Sequence, residues 1–453
     1  MNNQYHTYGI LGFGVVGKSV LRHLSNQSPD RIAVYDSRKL SQDENTIIRA
    51  NNGVVYQPSA LESFLIACEH IIPSPGIALH RYDKYSHKWL SELDLFAHAW
   101  HKHVIAITGT VGKTTTAALL AHTLEHIGEH VGLGGNIGTP MLDLVSCQET
   151  YALAVLELSS FQLMHMKEFA PDIAVLLNLY PNHLDYHTSY DEYKAAKLRL
   201  FTNQSEKQNA IIPLFLKDAL KGKKAHTIIV TPNDQLCEEE QQITFAEHNG
   251  NVTKKNKGHK ESIIRLGSIP PFTVTENLVF ITAILDTLKI DPMHLINAAS
   301  TFPPQEHRME YVLERDGVTI YNDSKATLPE ATLAALNRLG NRPTILIIGG
   351  LSKGVDRTPF FTNLPPSVRH IICFGKEAEK LGHIGSQFHT PCTISASLET
   401  AIRVAWETKQ PGDIILFSPG GSSFDLFKNY QERGNCFKAH VMRQWSPQEV
   451  VGL

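Results

Sequence analysis

The chain has 453 residues, 42% of them hydrophobic and 19% charged, with a net charge of −3; that is too long for one core and predicts about three domains of a folded soluble protein. With no single-sign charge block it excludes a non-specific nucleic-acid binder, which needs a basic face. No apolar run approaches the ~20 residues that span a bilayer, and a polar stretch from Met1 to Thr7 runs straight into a strand pattern, so neither membrane insertion nor a signal peptide is expected and the cytoplasm is the expected location.

Tyr8-Gly9-Ile10-Leu11 reads as a strand, followed by Gly12-Phe13-Gly14-Val15-Val16-Gly17 and a helix from Lys18 to Leu24. A second strand, Ile32 to Tyr35, ends at Asp36. A G-x-G-x-x-G turn with an acidic residue about twenty positions on is a dinucleotide fingerprint. Alone it is weak, and it leaves open an NAD site or a site for another diphosphate such as a UDP-sugar. Ile71 to Gly76 reads as a strand end with a rigid turn, and rising polarity from His98 to His103 suggests a linker.

The next unit opens on Val104-Ile105-Ala106-Ile107, then Thr108-Gly109-Thr110-Val111-Gly112-Lys113-Thr114-Thr115, then a helix. Strand, glycine turn and helix make a phosphate-binding loop: the backbone wraps closely and the helix N-terminus adds partial positive charge. Lys113 would reach the outer phosphates and the Thr114 hydroxyl a magnesium ion. Ile107 stands where the strict form has its first glycine, so the loop is a shortened variant. Glu157 ends the strand Ala152–Leu156, at the edge where ligands of open parallel sheets gather. A strand from Ile173 to Leu179 is followed by Asn182, His183 and Asp185. Weaker strands are expected over Asn209–Leu216 and Thr227–Val230, loops and short edge strands over Thr231–Gly267, and a helix over Glu276–Leu288.

From Phe302 onward, strands at Thr319–Tyr321, Thr344–Ile348, His370–Phe374 and Ile414–Phe417 each end in a polar or glycine turn. The alternation with helical stretches predicts a mostly parallel sheet. The fold expected of the whole is α/β in three domains: a Rossmann-like domain over 1–101, a central P-loop ATPase-like parallel sheet with helices over 102–302, and a Rossmann-like domain over 303–453.

Thr114, Glu157 and His183 form a candidate magnesium set, since magnesium takes oxygen ligands and keeps several waters. A histidine ligand is less usual there. His183 and His187 have a spacing that zinc could use, but no third ligand is placed nearby. Lys197, in a helical pattern, reads by spacing alone as a surface lysine. The six cysteines (Cys68, Cys147, Cys237, Cys373, Cys392, Cys436) are scattered and read as reduced thiols.

Taken together, these motifs make the chain resemble the Mur ligases, the ATP-dependent amide-bond ligases of cell-wall precursor synthesis. The matching pieces are the phosphate loop, Gly135-Asn136-Ile137-Gly138, Glu157 to Leu163, Asn178 to Asp185, Ala195 to Arg199, His307 to Glu310, Asn322 to Thr327, Gly349 to Gly354, and Ser418 to Asp425 with Arg433-Gly434. They occur in family order across all three units. The segments from Glu157, Asn322 and Ser418 point within the family to the branch that adds D-glutamate.

The resemblance implies substrates ATP, UDP-N-acetylmuramoyl-L-alanine and D-glutamate, two Mg2+ ions and a monomer. It turns Gly12, Gly14, Val15, Val16, Asp36, Ser37, Arg38 and Gly76 into UDP-substrate contacts, replacing the NAD reading, with Asn136 and His183 at the muramoyl-alanine end. Gly109, Thr110, Gly112, Lys113, Thr114, Thr115, Asn277, Arg308 and Asp323 would hold ATP. Thr114 and Glu157 would serve one metal ion, His183 and a carbamylated Lys197 the other. Lys113, His183 and Lys197 would be the catalytic group. Thr327, Lys353, Ser423 and Tyr430 would bind the incoming amino acid, and the third domain would close during turnover. Departures from the family pattern are Asn182 before the histidine, Leu328 after Thr327, Tyr430 for a phenylalanine, and Thr273 and Val274 where a His-Asn pair commonly contacts adenine. Alternatives are a Mur-type ligase for another amino acid, a folylpolyglutamate-type relative, a catalytically silent nucleotide-binding paralogue and an NAD oxidoreductase.

Overall fold

The computed structural model describes residues 7–27, 31–184, 186–231, 242–269, 275–303, 305–388 and 390–445. Asp185, Thr273 and Val274 lie outside the described residues. The chain is organised around three sheets and divides into two compact units. One takes Met1–Leu179, Ser189–Pro270 and Thr275–Thr301; the other takes Tyr180–Thr188 and Phe302–Leu453. Among the described residues no helix is long and apolar enough to cross a membrane.

The first sheet comprises β1 (Thr7–Leu11), β2 (Arg31–Tyr35), β3 (Gly53–Tyr56) and β4 (His70–Pro73), all parallel, in the spatial order β3-β2-β1-β4. Ile10, Val34 and Ile72 belong to one apolar layer, and Leu11, Ala33 and Ile71 to another. Both faces are covered, which is why these strands read as continuous apolar runs. The helix Val15–Asn26 starts at the second glycine of the fingerprint, earlier than the expected Lys18. Gly17 is obligatory: a Cβ there would lie 2.1 Å from the Gly12 carbonyl oxygen, so any side chain would push the helix off the strand.

The second sheet comprises β5 (His103–Thr108), β6 (Val131–Gly135), β7 (Leu153–Glu157), β8 (Ile173–Leu176), β9 (Asn209–Pro213), β10 (His226–Thr231), β11 (Ile243–His248), β12 (Asn251–Asn256) and β13 (His259–Arg265). Its order is β13-β12-β11-β10-β9-β8-β5-β7-β6. β5 therefore lies between β7 and β8, and the chain leaves it toward opposite sides of the sheet. That switch point is where an open α/β sheet holds its ligand.

The short edge strands expected among loops over Thr231–Gly267 include β11 to β13, an antiparallel meander. Its turns are Asn249-Gly250 and Lys257-Gly258, all four residues at positive φ, the two-residue geometry that matches strand twist. The stretch expected as a linker begins at the end of a helix. Ser91 caps the helix Glu92–Ala99, and Phe96 stacks on Trp100 at 5.3 Å. Val20, Leu21 and Leu24 of the helix Val15–Asn26 join Leu93, Phe96, Leu142 and Leu144 in one apolar cluster. This shared core places the first two sheets in one unit.

The third sheet comprises β14 (Glu310–Arg315), β15 (Val318–Asn322), β16 (Thr344–Gly349), β17 (Val368–Phe374), β18 (Cys392–Ile394) and β19 (Ile414–Phe417), ordered β14-β15-β19-β16-β17-β18. Only β14 runs antiparallel. It pairs with β15 through Asp316-Gly317, again both at positive φ. The loops after β15, β16 and β19 gather at one edge.

Candidate active site

The fingerprint turn is held by Asp36. Its carboxylate accepts from the Phe13 amide (2.7 Å) on one oxygen and from the Arg38 amide (3.0 Å) on the other. The Arg38 guanidinium forks onto both oxygens of Glu44, each at 2.8 Å. This pair, with the Ser41 amide, holds the Glu44 carboxyl well below the usual range. Ser74 Oγ donates to the Gly12 carbonyl. Asp36 and Arg38 thus brace the turn at Phe13, between Gly12 and Gly14. Val15 points out, 71% exposed at the first turn of the helix. Val16 is half-buried on that helix, Ser37 is exposed beyond Asp36, and Gly76 is exposed at positive φ in the turn after β4.

The phosphate loop follows β5. Asn178 braces it: Oδ1 accepts from the Thr110 amide (3.1 Å) and the Val111 amide (2.9 Å), while Nδ2 donates to the Val111 carbonyl. Thr110 Oγ1 meets the Tyr193 hydroxyl at 3.0 Å. Lys113 Nζ donates to the Gly109 and Thr110 carbonyls at 2.9 and 3.0 Å, folded over the loop it serves. Gly112 has φ +86, and a Cβ on it would come 2.5 Å from Asn277 Oδ1. The Asn277 amide therefore sits directly on the turn. Thr114 and Thr115 open the helix Lys113–His126, whose N-terminus is a ready anion site.

Glu157 ends β7 and is buried. Oε1 accepts from the Asn136 side chain at 2.9 Å, whereas Oε2 is buried with no hydrogen-bond partner among the described residues. A buried anionic oxygen without a donor is costly, and a cation offsets that cost. The donor set of Glu157 and the Thr114 hydroxyl fits magnesium, which takes few protein oxygens and retains waters. Gly135 makes room for this arrangement: a Cβ there would lie 2.3 Å from the Glu157 carbonyl oxygen.

Lys197 is fully buried on the helix Tyr190–Leu198, not on the surface as its spacing suggests. Nζ donates to Thr108 Oγ1 (3.2 Å) and to the Gly109 carbonyl (2.9 Å). It lies 4.9 Å from the centre of the Tyr193 ring. Burial, then the nearby charge of Lys113, lowers its pKa well below the ordinary lysine value, with Glu157 opposing. Lys113, Lys197 and Glu157 are thus one electrostatic cluster around the loop. His183 belongs to the other unit's segment Tyr180–Thr188. It sits at φ +55, with its amide on Asn182 Oδ1 (2.9 Å) and its carbonyl accepting from Tyr186 and His187.

In the second unit the loops after β15, β16 and β19 interlock. Gly420 donates its amide to Ala326, Gly349 donates to Pro419, and Leu351 and Ser422 exchange both backbone bonds at 2.9 Å. Asp323 accepts from Ser418 Oγ (2.7 Å) and the Met309 amide (3.2 Å). Burial raises its pKa to about 6, against the pull of Ser418 and Arg308. The Arg308 charge is therefore near Asp323. Tyr430 touches Lys325, whose Nζ is 2.8 Å from its hydroxyl. Lys353 takes a left-handed φ of +52 at the tip of the loop after β16. Thr327 stands in the loop after β15, and Ser423 in the loop after β19 that also carries Gly420.

Sequence reasoning named Asn178 and Arg433 only as motif letters, and it missed Tyr193 as a loop brace. Arg433 is fully buried and donates to Gly421 O, Ser324 Oγ and Ser324 O. Gly434 beside it makes space for His307, since a Cβ there would lie 2.2 Å from Nδ1. A charged residue followed by glycine inside a helical pattern was the available signal.

A phosphate loop at the switch point of a parallel sheet, ringed by a buried carboxylate and a buried lysine, defines a nucleotide-phosphate-binding α/β protein with a second α/β unit. Models of the Mur ligase MurD-like N-terminal domain, the Mur ligase middle domain and the Mur ligase glutamate ligase domain match residues 6–83, 107–283 and 307–421. The UDP-N-acetylmuramoylalanine–D-glutamate ligase of Geotalea uraniireducens is 35% identical over 391 residues, covering 84% of each chain. That of Pseudothermotoga lettingae is 31% identical, covering 95% of this chain and 96% of its own. The chain belongs to the Mur ligase family. Among solved structures, MurF from Acinetobacter baumannii shares the fold at a TM-score of 0.61 and 16% identity, covering 96% of this chain and 93% of its own.

Proposed function

We propose that the protein joins D-glutamate to UDP-N-acetylmuramoyl-L-alanine in peptidoglycan precursor synthesis, with ATP cleaved to ADP and phosphate. The observation that carries this reading is the cluster around the phosphate loop of Lys113, Lys197 and a Glu157 oxygen with no partner among the described residues. It is a site built for a polyanion with its cation. Similarity to the two D-glutamate ligases over most of the chain supplies the substrate class.

The substrate carboxylate attacks the γ-phosphorus of ATP and gives an acyl phosphate and ADP. The D-glutamate amine then adds to the acyl carbon. The tetrahedral intermediate loses phosphate and leaves the amide. This chain's residues mainly position and neutralise charge. Lys113 and the start of the helix Lys113–His126 hold the transferring phosphates. Asn178 and Tyr193 fix the loop, and Asn277 sits against its last glycine. Thr114 and Glu157 hold magnesium, which when bound neutralises phosphate charge. Asn136 aims Glu157. In the second unit Arg308 and Asp323 contact ATP, while Thr327, Lys353, Ser423 and Tyr430 take the amino acid. Lysine beside hydroxyl donors suits a carboxylate.

Lys197 is the least obvious member. A lysine whose pKa is lowered by burial presents more neutral amine, the form that adds carbon dioxide to give a carbamate. Its product is anionic and suits a second magnesium ion, which His183 is proposed to serve as well. The UDP-substrate contacts proposed are Gly12, Gly14, Val15, Val16, Asp36, Ser37, Arg38 and Gly76 with Asn136 and His183. A cytoplasmic monomer with boundaries near 101 and 302 completes the reading.

The test is phosphate release from ATP and magnesium with UDP-N-acetylmuramoyl-L-alanine, across D-glutamate, L-glutamate, L-alanine, L-lysine and diaminopimelate. Release requiring both the UDP substrate and D-glutamate is expected. Release with another amino acid alone overturns the substrate and keeps the ligase chemistry.

A further inference from the structure

Arg357 is among the largest fully buried side chains of the second unit, 1% exposed. Its Nε, Nη1 and Nη2 make no hydrogen bond to any described residue. A buried guanidinium with five unused donors costs several kcal/mol unless opposite charge compensates it. The opposite charges nearby are Glu377 and Glu330, and each of those carboxylates has a buried Oε2 without a partner among the described residues. Three charged groups are thus held close without pairing off, an arrangement that stability alone does not favour.

The position of this cluster suggests its use. The guanidinium lies behind the glycine loop after β19: a Cβ on Gly421 would come 2.4 Å from Nη2, and one on Gly420 would come 3.2 Å from Nη1. The same Gly421 position is 2.4 Å from the Gly349 carbonyl oxygen, so Arg357 sits at the junction of the loops after β16 and β19. The nearby Glu377 accepts through Oε1 from the Ser352 amide (3.0 Å) and the Ser352 hydroxyl (3.1 Å). Ser352 precedes Lys353, held at φ +52. The buried cation therefore lies against the loop that carries Ser423, and its neighbour Glu377 braces the loop that carries Lys353.

We propose that Arg357 is a positioning residue for the amino-acid pocket, setting the Lys353 and Ser423 loops against each other through Glu377 and the Gly420-Gly421 backbone. It makes no contact with the substrate itself. Its charge lies behind the loops and Glu377 transmits it to Lys353. This rests on the reading of those loops as the amino-acid site.

The test is steady-state kinetics of Arg357→Met, Arg357→Lys, Glu377→Gln and the Arg357→Met/Glu377→Gln double variant, with thermal unfolding of each. The amino acid used is whichever supports phosphate release with the wild-type enzyme, so failure of the D-glutamate assignment is read separately. Arg357→Met is expected to raise the KM for the amino acid about tenfold or more, with the KM for ATP within about twofold. Arg357→Lys should recover part of that loss. Glu377→Gln should raise the same KM, and the double variant should be no worse than the worse single variant, because residues acting in one chain are not additive. Parallel loss of every parameter with Tm, additive singles, or an unchanged amino-acid KM in Arg357→Lys and Glu377→Gln would overturn the proposal. If Arg357→Met does not fold, Arg357→Lys and Glu377→Gln decide it.

Discussion

Asn136 donates its side-chain amide to Oε1 of Glu157 at 2.9 Å, and the Asn136 backbone amide bonds the Glu157 carbonyl at 2.8 Å. One residue thus holds both ends of the acid that ends β7 and leaves Oε2 free of described partners. Groups that orient a metal ligand typically contribute ten- to a hundredfold in metal affinity or activity. Asn136→Leu should therefore raise the magnesium concentration for half-maximal turnover by about tenfold, with maximal turnover partly restored at high magnesium. A magnesium titration of the phosphate-release assay checks this. An unchanged magnesium requirement with lost turnover would assign Asn136 to the substrate alone.

Lys197 supplies the second prediction. Its amine is boxed in by Thr108 Oγ1 and the Gly109 carbonyl and faces the charge of Lys113. An uncharged Lys197 gives Lys113 no repulsion, and a carbamate there gives it attraction. Lys197→Ala should lose most activity and recover part of it with added formate or acetate, whose oxygens replace the missing anion. Wild-type protein exposed to 13C-bicarbonate should show a carbamate carbon resonance that the variant lacks. No resonance and no rescue at any concentration would remove the carbamate from the mechanism.

Much of this site was legible because its chemistry is local in sequence. The phosphate loop, Glu157 at a strand end and the fingerprint turn are each short patterns tied to strand–turn–helix units. What escaped was long-range. Lys197 read as a surface residue because its helix is mostly polar, and only the packing of Tyr190–Leu198 on the loop buries it. Asn178 and Tyr193 brace the loop from 67 and 83 residues away. The meander β11–β13 was legible only as short edge strands without bounds, because β12 and β13 carry Lys254, Lys255, Lys260 and Glu261, as strands at a sheet edge often do. The turns Asn249-Gly250 and Lys257-Gly258 were the better signal.

Gly112 and Lys113 can be separated experimentally. Gly112→Ala forces a side chain at φ +86 within 2.5 Å of Asn277 Oδ1; strain of this kind costs about 1–3 kcal/mol. The loop must shift, so ATP binding should weaken. Lys113→Ala adds no strain at Gly112 and removes the cation that stabilises phosphate charge, together with its hydrogen bonds to the Gly109 and Thr110 carbonyls. It should retain nucleotide binding better than Gly112→Ala and yet lose more than about tenfold in turnover, or ~1.4 kcal/mol of barrier. Equilibrium ATP binding alongside phosphate release makes the comparison. Lys113→Ala keeping over about a tenth of wild-type turnover would remove that lysine from phosphoryl transfer.

Glu92 offers a stability prediction independent of catalysis. It sits in the first turn of the helix Glu92–Ala99, within the core shared by the first two sheets. Burial raises its pKa to about 7, with Gln162 pulling down and Asp143 adding to the rise. A carboxyl with a raised folded pKa binds its proton more tightly in the folded state. Its contribution is fully present below the unfolded value and is lost as pH rises through the folded one. The rise from 4.5 to about 7 corresponds to roughly 3 kcal/mol lost between about pH 4.5 and 8. Glu92→Gln keeps the shape and removes the titration. It should be little changed in stability at pH 5 and more stable than wild type at pH 8. Urea unfolding of both proteins at the two pH values measures the difference. An equal gap at pH 5 and pH 8 would show that Glu92 does not titrate in the folded protein, and a loss at pH 8 would show that its ionised form is held by a partner.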